Sequence, residues 1–316
     1  MENNVSKTGL HTVLGAGGAS GKAVIAELLQ KSLAVRAVQR SSFTMKGVEC
    51  VNATLLDQEE TKKAIDGSTH VYMCAAVEYK TRSWQHDWPL MMDNIIKACL
   101  YADAVLVFLD NIYMYGPAPL TIPFDEKHSQ LPPSKKGMVR KQVADMVEKA
   151  ITDQNLKAVI ARSADFYGPY AKNSMLYIQT LDRMMAGKGP NSIATPGIRH
   201  TYGNTTDNAR AMVLLATHPD CYGQVWHLPV GDAITPEQIV QLINKALNTS
   251  FKPSFIPTFI KAILHVLIPV MKEAGEMEYQ FDNEYIMSWD KFKKRFPDFR
   301  VTPYEKGIAA MIASFK

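Results

Sequence analysis

The chain has 316 residues, 47% of them hydrophobic, enough to fill one large domain or a large and a small one. Its 35 basic and 31 acidic residues are well mixed and leave a net charge of +4, which argues against the concentrated basic face of a nucleic-acid binder. Cys50, Cys74, Cys99 and Cys221 have no paired spacing, so neither a disulfide framework nor a zinc site is expected, and a reducing cytoplasm fits best.

The first residues, MENNVSKTGLHTVLG, lack the basic-then-apolar order of a secretory signal and run straight into an apolar strand. Short apolar runs then alternate with helical patterns. HTVLGAG precedes GKAVIAELLQK, AVRAVQR follows, GVECVNA precedes QEETKKAID, HVYMCAA precedes LMMDNIIKACLYA, and AVLVFLD comes next. This order predicts parallel strands joined by crossover helices, an α/β doubly wound sheet of Rossmann type. LKAVIARSADFYG (156–168) and GQVWHLPVG (223–231) extend the sheet later. Residues 1–170, with 204–231 returning, form the predicted dinucleotide-binding domain. The segments 171–203 and 232–316 form a smaller substrate domain over the carboxyl ends of the strands, where open α/β sheets bind ligands.

Met91, Met92, Met184 and Met185 sit in helical patterns and read as core. The stretch FIPTFIKAILHVLIPVM (255–271) is broken by Pro257, Lys261, His265 and Pro269 and falls short of the roughly 20 apolar residues a bilayer span needs. A buried helix is expected there, and no membrane partner. In SWQHDWP, read as a loop, Trp84 and Trp88 are assigned to packing.

In TVLGAGGASGKAVIAELL, Gly15, Gly18 and Gly21 fall between a strand and a helix. A turn there needs a positive φ, the backbone must approach a pyrophosphate closely, and the helix start offers free N–H groups. The segment from Gly15 through Gly17, Gly18, Ala19, Ser20 and Gly21 is therefore the predicted phosphate cradle. The next strand ends at Gln39 and Arg40, where an NAD-preferring site has an acid for the ribose hydroxyls. An arginine attracts a phosphate, so NADP(H) is preferred over NAD(H), with Arg40 as its ligand.

The glycine spacing, the CAA of Cys74–Ala76, DNIYMYGP (110–117), KGMVRK (136–141), RSADFYGP (162–169) and HTYGNTTDNARA (200–211) resemble the extended and atypical short-chain dehydrogenase/reductases. More narrowly they look like the bacterial NAD-dependent epimerase/dehydratase-like subgroup. The likeness runs on into EMEYQFDNEYIMSWDKFKKRF near the end. It implies that Thr54, Leu55, Ala75, Ala76 and Phe166 line the cofactor. It also implies a Ser or Thr after the fifth strand and a Tyr-x-x-x-Lys helix, in which the tyrosine transfers the proton and the lysine binds the nicotinamide ribose. Here the serine position falls on Asn111, the lysine on Lys141 and the tyrosine on Gly137, so two of the three are changed.

Positions 137 and 141 share a helix face, and Gly137 leaves a ring's worth of space for a substrate or for another side chain. Three groups are candidates for the missing acid. Tyr113 lies on the same side as Asn111 if the strand continues that far. Asp165 sits in the loop after the sixth strand, where burial would raise its pKa. Lys141 is the third, as in the isoflavone reductase and phenylcoumaran benzylic ether reductase relatives that also lack the tyrosine.

Tyr115, His200 and Tyr202 are assigned to the substrate, and Asp207 to a helix start. His11, His70, His86, His128, His218, His227 and His265 show no ligand spacing, so no metal is assigned. The expected activity is hydride transfer to or from a small or medium carbonyl, hydroxyl or enone substrate. Epimerase or dehydratase chemistry with a borrowed hydride stands as the alternative, as does an inactive NADP-binding sensor. A homodimer is what the family habit would add.

Overall fold

The computed structural model describes residues 9–257, 260, 261, 267, 273 and 275–316. Most of the apolar stretch 255–271 lies outside the described residues, as do the first eight. The chain divides into two compact units. The first comprises the chain up to Asp110, Val139–Arg162 and Asn208–Trp226. The second comprises Asn111–Met138, Ser163–Asp207 and His227 onward.

The strands, in chain order, are β1 (Leu10–Leu14), β2 (Ala34–Gln39), β3 (Glu49–Asn52), β4 (Ser68–Met73), β5 (Val105–Asp110), β6 (Ala158–Arg162), β7 (Phe166–Tyr167), β8 (Gly203–Asn204) and β9 (Gln224–His227). Seven of them form one sheet in the order β3-β2-β1-β4-β5-β6-β9, and β7 pairs with β8 in a small second ladder. The pairings of β1 with β2 and β4, of β4 with β5 and of β5 with β6 are parallel. Strand order reverses at β1, and Leu14, at its carboxyl end, is level with Val38 and Met73. That reversal opens the crevice that doubly wound sheets use for ligands. β6 is buried at every position, as expected of a strand covered on both faces.

The helices of the first unit are α1 (Ala19–Gln30), α2 (Gln58–Ile65), α3 (Thr81–Ala102), most of α4 (Lys135–Gln154) and, after the short α5 (Asp182–Met185), most of α6 (Thr205–Ala216). SWQHDWP belongs to α3 and is not a loop. Pro89 removes one N–H but leaves the rest of a 22-residue helix intact, and Trp84, Trp88, Met91 and Met92 are all buried. In α4 the buried positions Lys136, Val139, Arg140, Val143, Ala144, Val147 and Ala150 trace one helical stripe. Two of those core-facing positions carry charge.

The second unit is built on Ile112, Met114, Tyr115, Phe124, Tyr285 and Met287. It adds α7 (Pro236–Leu247), opened by a Thr235/Gln238 capping box, then α8 (Tyr279–Asp282), α9 (Asp290–Arg295) and α10 (Tyr304–Ala313). Residues 111–138, 163–170, 204–207 and 227–231 belong to this unit rather than to the sheet domain that the sequence reading gave them to. They leave the strand ends and pack on their own apolar core. Among the described residues no helix is long and apolar enough to cross a membrane.

Candidate active site

At the carboxyl end of β1 the backbone makes the turn that the glycines predict. Gly15 has φ +85°, and the N–H groups of Gly15 and Ala16 both reach Val38 O, at 2.9 and 3.1 Å. A Cβ on Gly15 would run into the backbone of Ala75, and one on Gly21 into the carbonyl of Gly15. Packing alone forbids side chains at these two positions. Gly17 and Gly18 are exposed and face open space apart from the end of the Gln39 side chain, so a ligand can approach their backbone.

Gly18 is the N-cap of α1, and among the described residues no side chain caps that helix. Its first N–H groups and the positive end of its dipole are left for an anion. These residues fit a dinucleotide pyrophosphate on geometry alone. Arg40 is exposed and has no hydrogen bond or ion pair among the described residues.

Around this crevice, Thr54 N–H bonds Glu60 Oε2 at 2.8 Å, and the carbonyl of Leu55 is taken by buried Asn94 at 3.0 Å. Ala75 is half-buried and Ala76 exposed, directly after β4. Burial pushes the neighbouring Cys74 thiol up to about 12, so it stays neutral and is no nucleophile. Lys141 is half-exposed, with its Nζ 2.7 and 3.0 Å from the Asp145 carboxylate one turn on. An exposed i,i+4 pair of this kind contributes only about 0.5 kcal/mol, so it does not tie the lysine down.

The first unit also holds a charge cluster that the sequence reading missed. Asp110, 3% exposed at the end of β5, accepts from Arg140 Nε at 2.9 Å, from Arg140 Nη2, and from Arg162 Nε at 3.4 Å. The Arg140 guanidinium lies over the Trp88 ring at 4.1 Å. The available signal was a lysine and an arginine four apart on the apolar stripe of α4.

In the second unit β5 has already ended, and Asn111 does not continue it. Its Oδ1 accepts the Tyr113 N–H at 3.1 Å, forming an Asx turn. Tyr113 is therefore half-buried in a turn, because a side chain competing for the backbone stops the ladder. The space expected beside Gly137 is filled. A Cβ there would meet Tyr113 O, Pro132 Cβ and Ser134 Oγ, so the absent tyrosine leaves no pocket at its first carbon.

Ser134 caps α4 by accepting the Gly137 N–H at 3.0 Å, and Glu276 accepts the Lys135 N–H at 2.8 Å. Buried Lys136 bonds the carboxylates of Glu273 and Glu276 at 2.7 and 2.6 Å.

Tyr115, assigned to the substrate by its place in the sequence, lies in the core of the second unit. It is fully buried, its hydroxyl is 2.6 Å from His227 Nε2, and its ring packs on Phe124. An apolar core with one buried hydroxyl needs such an internal partner. Asp207 lies in the first turn of α6, but Asn204 is the capping side chain there, and the Asp207 carboxylate accepts from Thr302 N–H and Oγ1 at 2.7 and 2.8 Å.

Asp165, His200 and Tyr202 do come together. Asp165 Oδ2 is 3.1 Å from His200 Nε2, and the rings of His200 and Tyr202 are 4.7 Å apart. Phe166, in β7, pairs with Gly203 beside them. Tyr279 and Tyr285, which the sequence reading did not single out, complete the surroundings of Asp165. Burial raises both phenols, Tyr279 to about 12, and the Asp165 charge adds to the shift.

A doubly wound sheet with a glycine turn before an uncapped helix defines a dinucleotide-binding α/β protein. The chain belongs to the NAD dependent epimerase/dehydratase family, an enzyme family whose model matches residues 11–228. No curated protein matches it.

Solved structures match it over nearly their whole length. The Bordetella bronchiseptica enzyme WbmH in complex with NAD+ is 17% identical, with 98% of each chain covered and a TM-score of 0.77. The Thermotoga maritima UDP-glucose 4-epimerase with UDP-glucose is 17% identical, covering 97% of this chain and 98% of its own, with a TM-score of 0.80. The Bacillus cereus UDP-N-acetylglucosamine 4-epimerase is 15% identical, with 97% and 96% covered and a TM-score of 0.78. At these identities the likeness establishes the fold.

Proposed function

We propose that the chain is an NADP(H)-dependent oxidoreductase acting by hydride transfer on a small or medium carbonyl, hydroxyl or enone substrate. The observation that carries the reading is the head of α1, where packing excludes side chains at Gly15 and Gly21 and, among the described residues, no side chain caps the helix. The backbone of Gly17, Gly18, Ala19 and Ser20 would receive the pyrophosphate. Arg40 would take the ribose phosphate. Thr54, Leu55, Ala75, Ala76 and Phe166 would line the rest, and Lys141, released from Asp145, would hold the nicotinamide ribose.

When bound, the nicotinamide supplies or accepts the hydride. The chain's own part is to orient the substrate oxygen, through the Asn111 amide N–H, and to move its proton. Tyr113, Asp165 and Lys141 are the groups able to do so. His200 and Tyr202 would contact the substrate. A soluble cytoplasmic homodimer belongs to the same reading.

Epimerase chemistry, in which the hydride is returned to the same substrate, is the second reading. The family and the UDP-sugar epimerases among the similar structures favour it.

Calorimetric titration with NADPH and NADH is the test. NADPH is expected to bind about tenfold more tightly, a difference of about 1.4 kcal/mol, and Arg40→Ala to erase that preference. Absorbance at the reduced nicotinamide band, followed over aldehydes, ketones and enones, then reads oxidoreduction. Product analysis with UDP-glucose reads epimerisation. If neither coenzyme is taken up, both readings fail.

A further inference from the structure

We propose that Asp165 and His200 form the acid–base couple that replaces the family's tyrosine, with Asp165 exchanging the substrate proton and His200 positioning it. The proposal rests on the hydride-transfer reading above and identifies the proton carrier within it.

The couple is built into a rigid frame. The His200 N–H bonds Ile234 O and the Ile234 N–H bonds His200 O, at 3.0 and 2.9 Å, while the Gly203 N–H bonds Asp165 O at 2.8 Å. The His200 ring is stacked against both Phe281 and Tyr285, each at 5.4 Å and within 13° of parallel. These aromatic faces fix the plane of the ring, and the Asp165 carboxyl group lies 3.1 Å from its Nε2.

His200 is 4% exposed, yet neither ring nitrogen has a well-formed hydrogen bond among the described residues, and neither does Asp165 Oδ2. The 3.1 Å approach is too bent in this conformation to count as one. Leaving buried polar atoms unpaired costs about 1–3 kcal/mol each, and such groups cluster where a ligand or a proton completes them.

The division of labour follows from burial. The Asp165 side chain is 13% exposed and that of His200 5%, so the carboxyl group is the more accessible of the two. Around the pair, the Tyr202 and Tyr285 rings lie 4.7 and 5.4 Å from that of His200, and the Tyr279 ring, from α8, lies 6.5 Å from Tyr285; Glu276, Tyr113, Tyr115 and Tyr304 act electrostatically on the same group of phenols. Burial raises Tyr202, Tyr279 and Tyr285, so these phenols remain protonated donors and cannot act as bases near neutral pH. In the oxidation direction Asp165 would accept the substrate's hydroxyl proton, and a bound nicotinamide would supply the hydride acceptor. The carbonyl product forms, and the reverse reaction returns both. His200, 3.1 Å from the carboxyl oxygen, fixes the orientation of Asp165.

The test uses the full chain. The imidazole N–H proton of His200 is expected as a slowly exchanging low-field NMR resonance, assigned by its absence in His200→Phe, which keeps the ring stack. Asp165→Ala should abolish it or move it upfield. A resonance unmoved by Asp165→Ala overturns the couple.

With a turned-over carbonyl substrate, Asp165→Asn is expected to lower kcat on the order of 100-fold, within the usual range for removing a general acid. His200→Phe should lower it on the order of tenfold and change the shape of the pH profile, as expected when a partner that tunes the acid is lost. His200→Gln, which can still hydrogen-bond, should recover part of the loss and serves if the Phe variant does not fold. Both Asp165→Asn and His200→Phe should bind NADPH as the parent does. Turnover of Asp165→Asn close to the parent rate overturns the proposal. Absence of coenzyme uptake by the parent chain instead sinks the hydride-transfer reading, and the NMR resonance then still reports on the pair.

Discussion

The heads of α1 and α4 are both strand-to-helix crossings that begin at the carboxyl end of a sheet strand, and the chain treats them in opposite ways. At α1 the N-cap is Gly18, among the described residues no side chain caps the first N–H groups, and Gly17 and Gly18 leave their backbone exposed. At α4, Ser134 takes the Gly137 N–H, Glu276 takes the Lys135 N–H, and Gly137 is packed against Tyr113 O and Pro132. Helix starts leave backbone donors that must be satisfied by something. One crossing leaves them open and the other satisfies them within the protein. Glycine therefore means different things in the two places: open approach at Gly17 and Gly18, closed packing at Gly137.

The strongest way to break this comparison is to restore the family's residue. Gly137→Tyr should destabilise the chain by about 3 kcal/mol or more, because overpacking a filled, buried position strains the backbone around it. It should not create oxidoreductase activity. Thermal unfolding with a turnover assay reads both, and a stable, more active variant would show that the head of α4 is a pocket.

Next in size, Gly21→Ala should drive a methyl group into the Gly15 carbonyl and weaken NADPH binding on the order of 100-fold, about 2.7 kcal/mol. Calorimetry checks this, with the melting temperature as a control. Affinity within threefold of the parent would mean that the open helix start is not the phosphate cradle.

The smallest effect sharpens the contrast. Ser134→Ala should cost about 1 kcal/mol of stability, the ordinary value of a lost N-cap, with no change in NADPH affinity. Chemical denaturation measures the first and titration the second.

Much of the first unit could be read from the chain. Strand and helix alternation, the Gly15–Gly21 turn and the core role of Met91 and Met92 are all local patterns, in which neighbours in sequence fix the backbone. The second unit was less legible. Tyr113 would share a side with Asn111 only if β5 ran on past AVLVFLD, but the Asn111 side chain closes a turn two residues on. The sequence reading left Tyr115 to the substrate, whereas His227, far along the chain, takes its hydroxyl. The stripe of α4 held the clue to Lys136 and Arg140, yet periodicity says only that a position is buried and does not say which partner neutralises it.

By itself the sequence determined the doubly wound sheet and the glycine turn, because apolar periodicity and a positive φ are properties of adjacent residues. Only the tertiary structure decided that Asp110 meets two arginines, that Lys136 meets carboxylates 137 and 140 residues away, and that Asp165 stands against His200. Buried charge has to find its counter-charge wherever the fold brings one, and no spacing rule along the chain records that meeting.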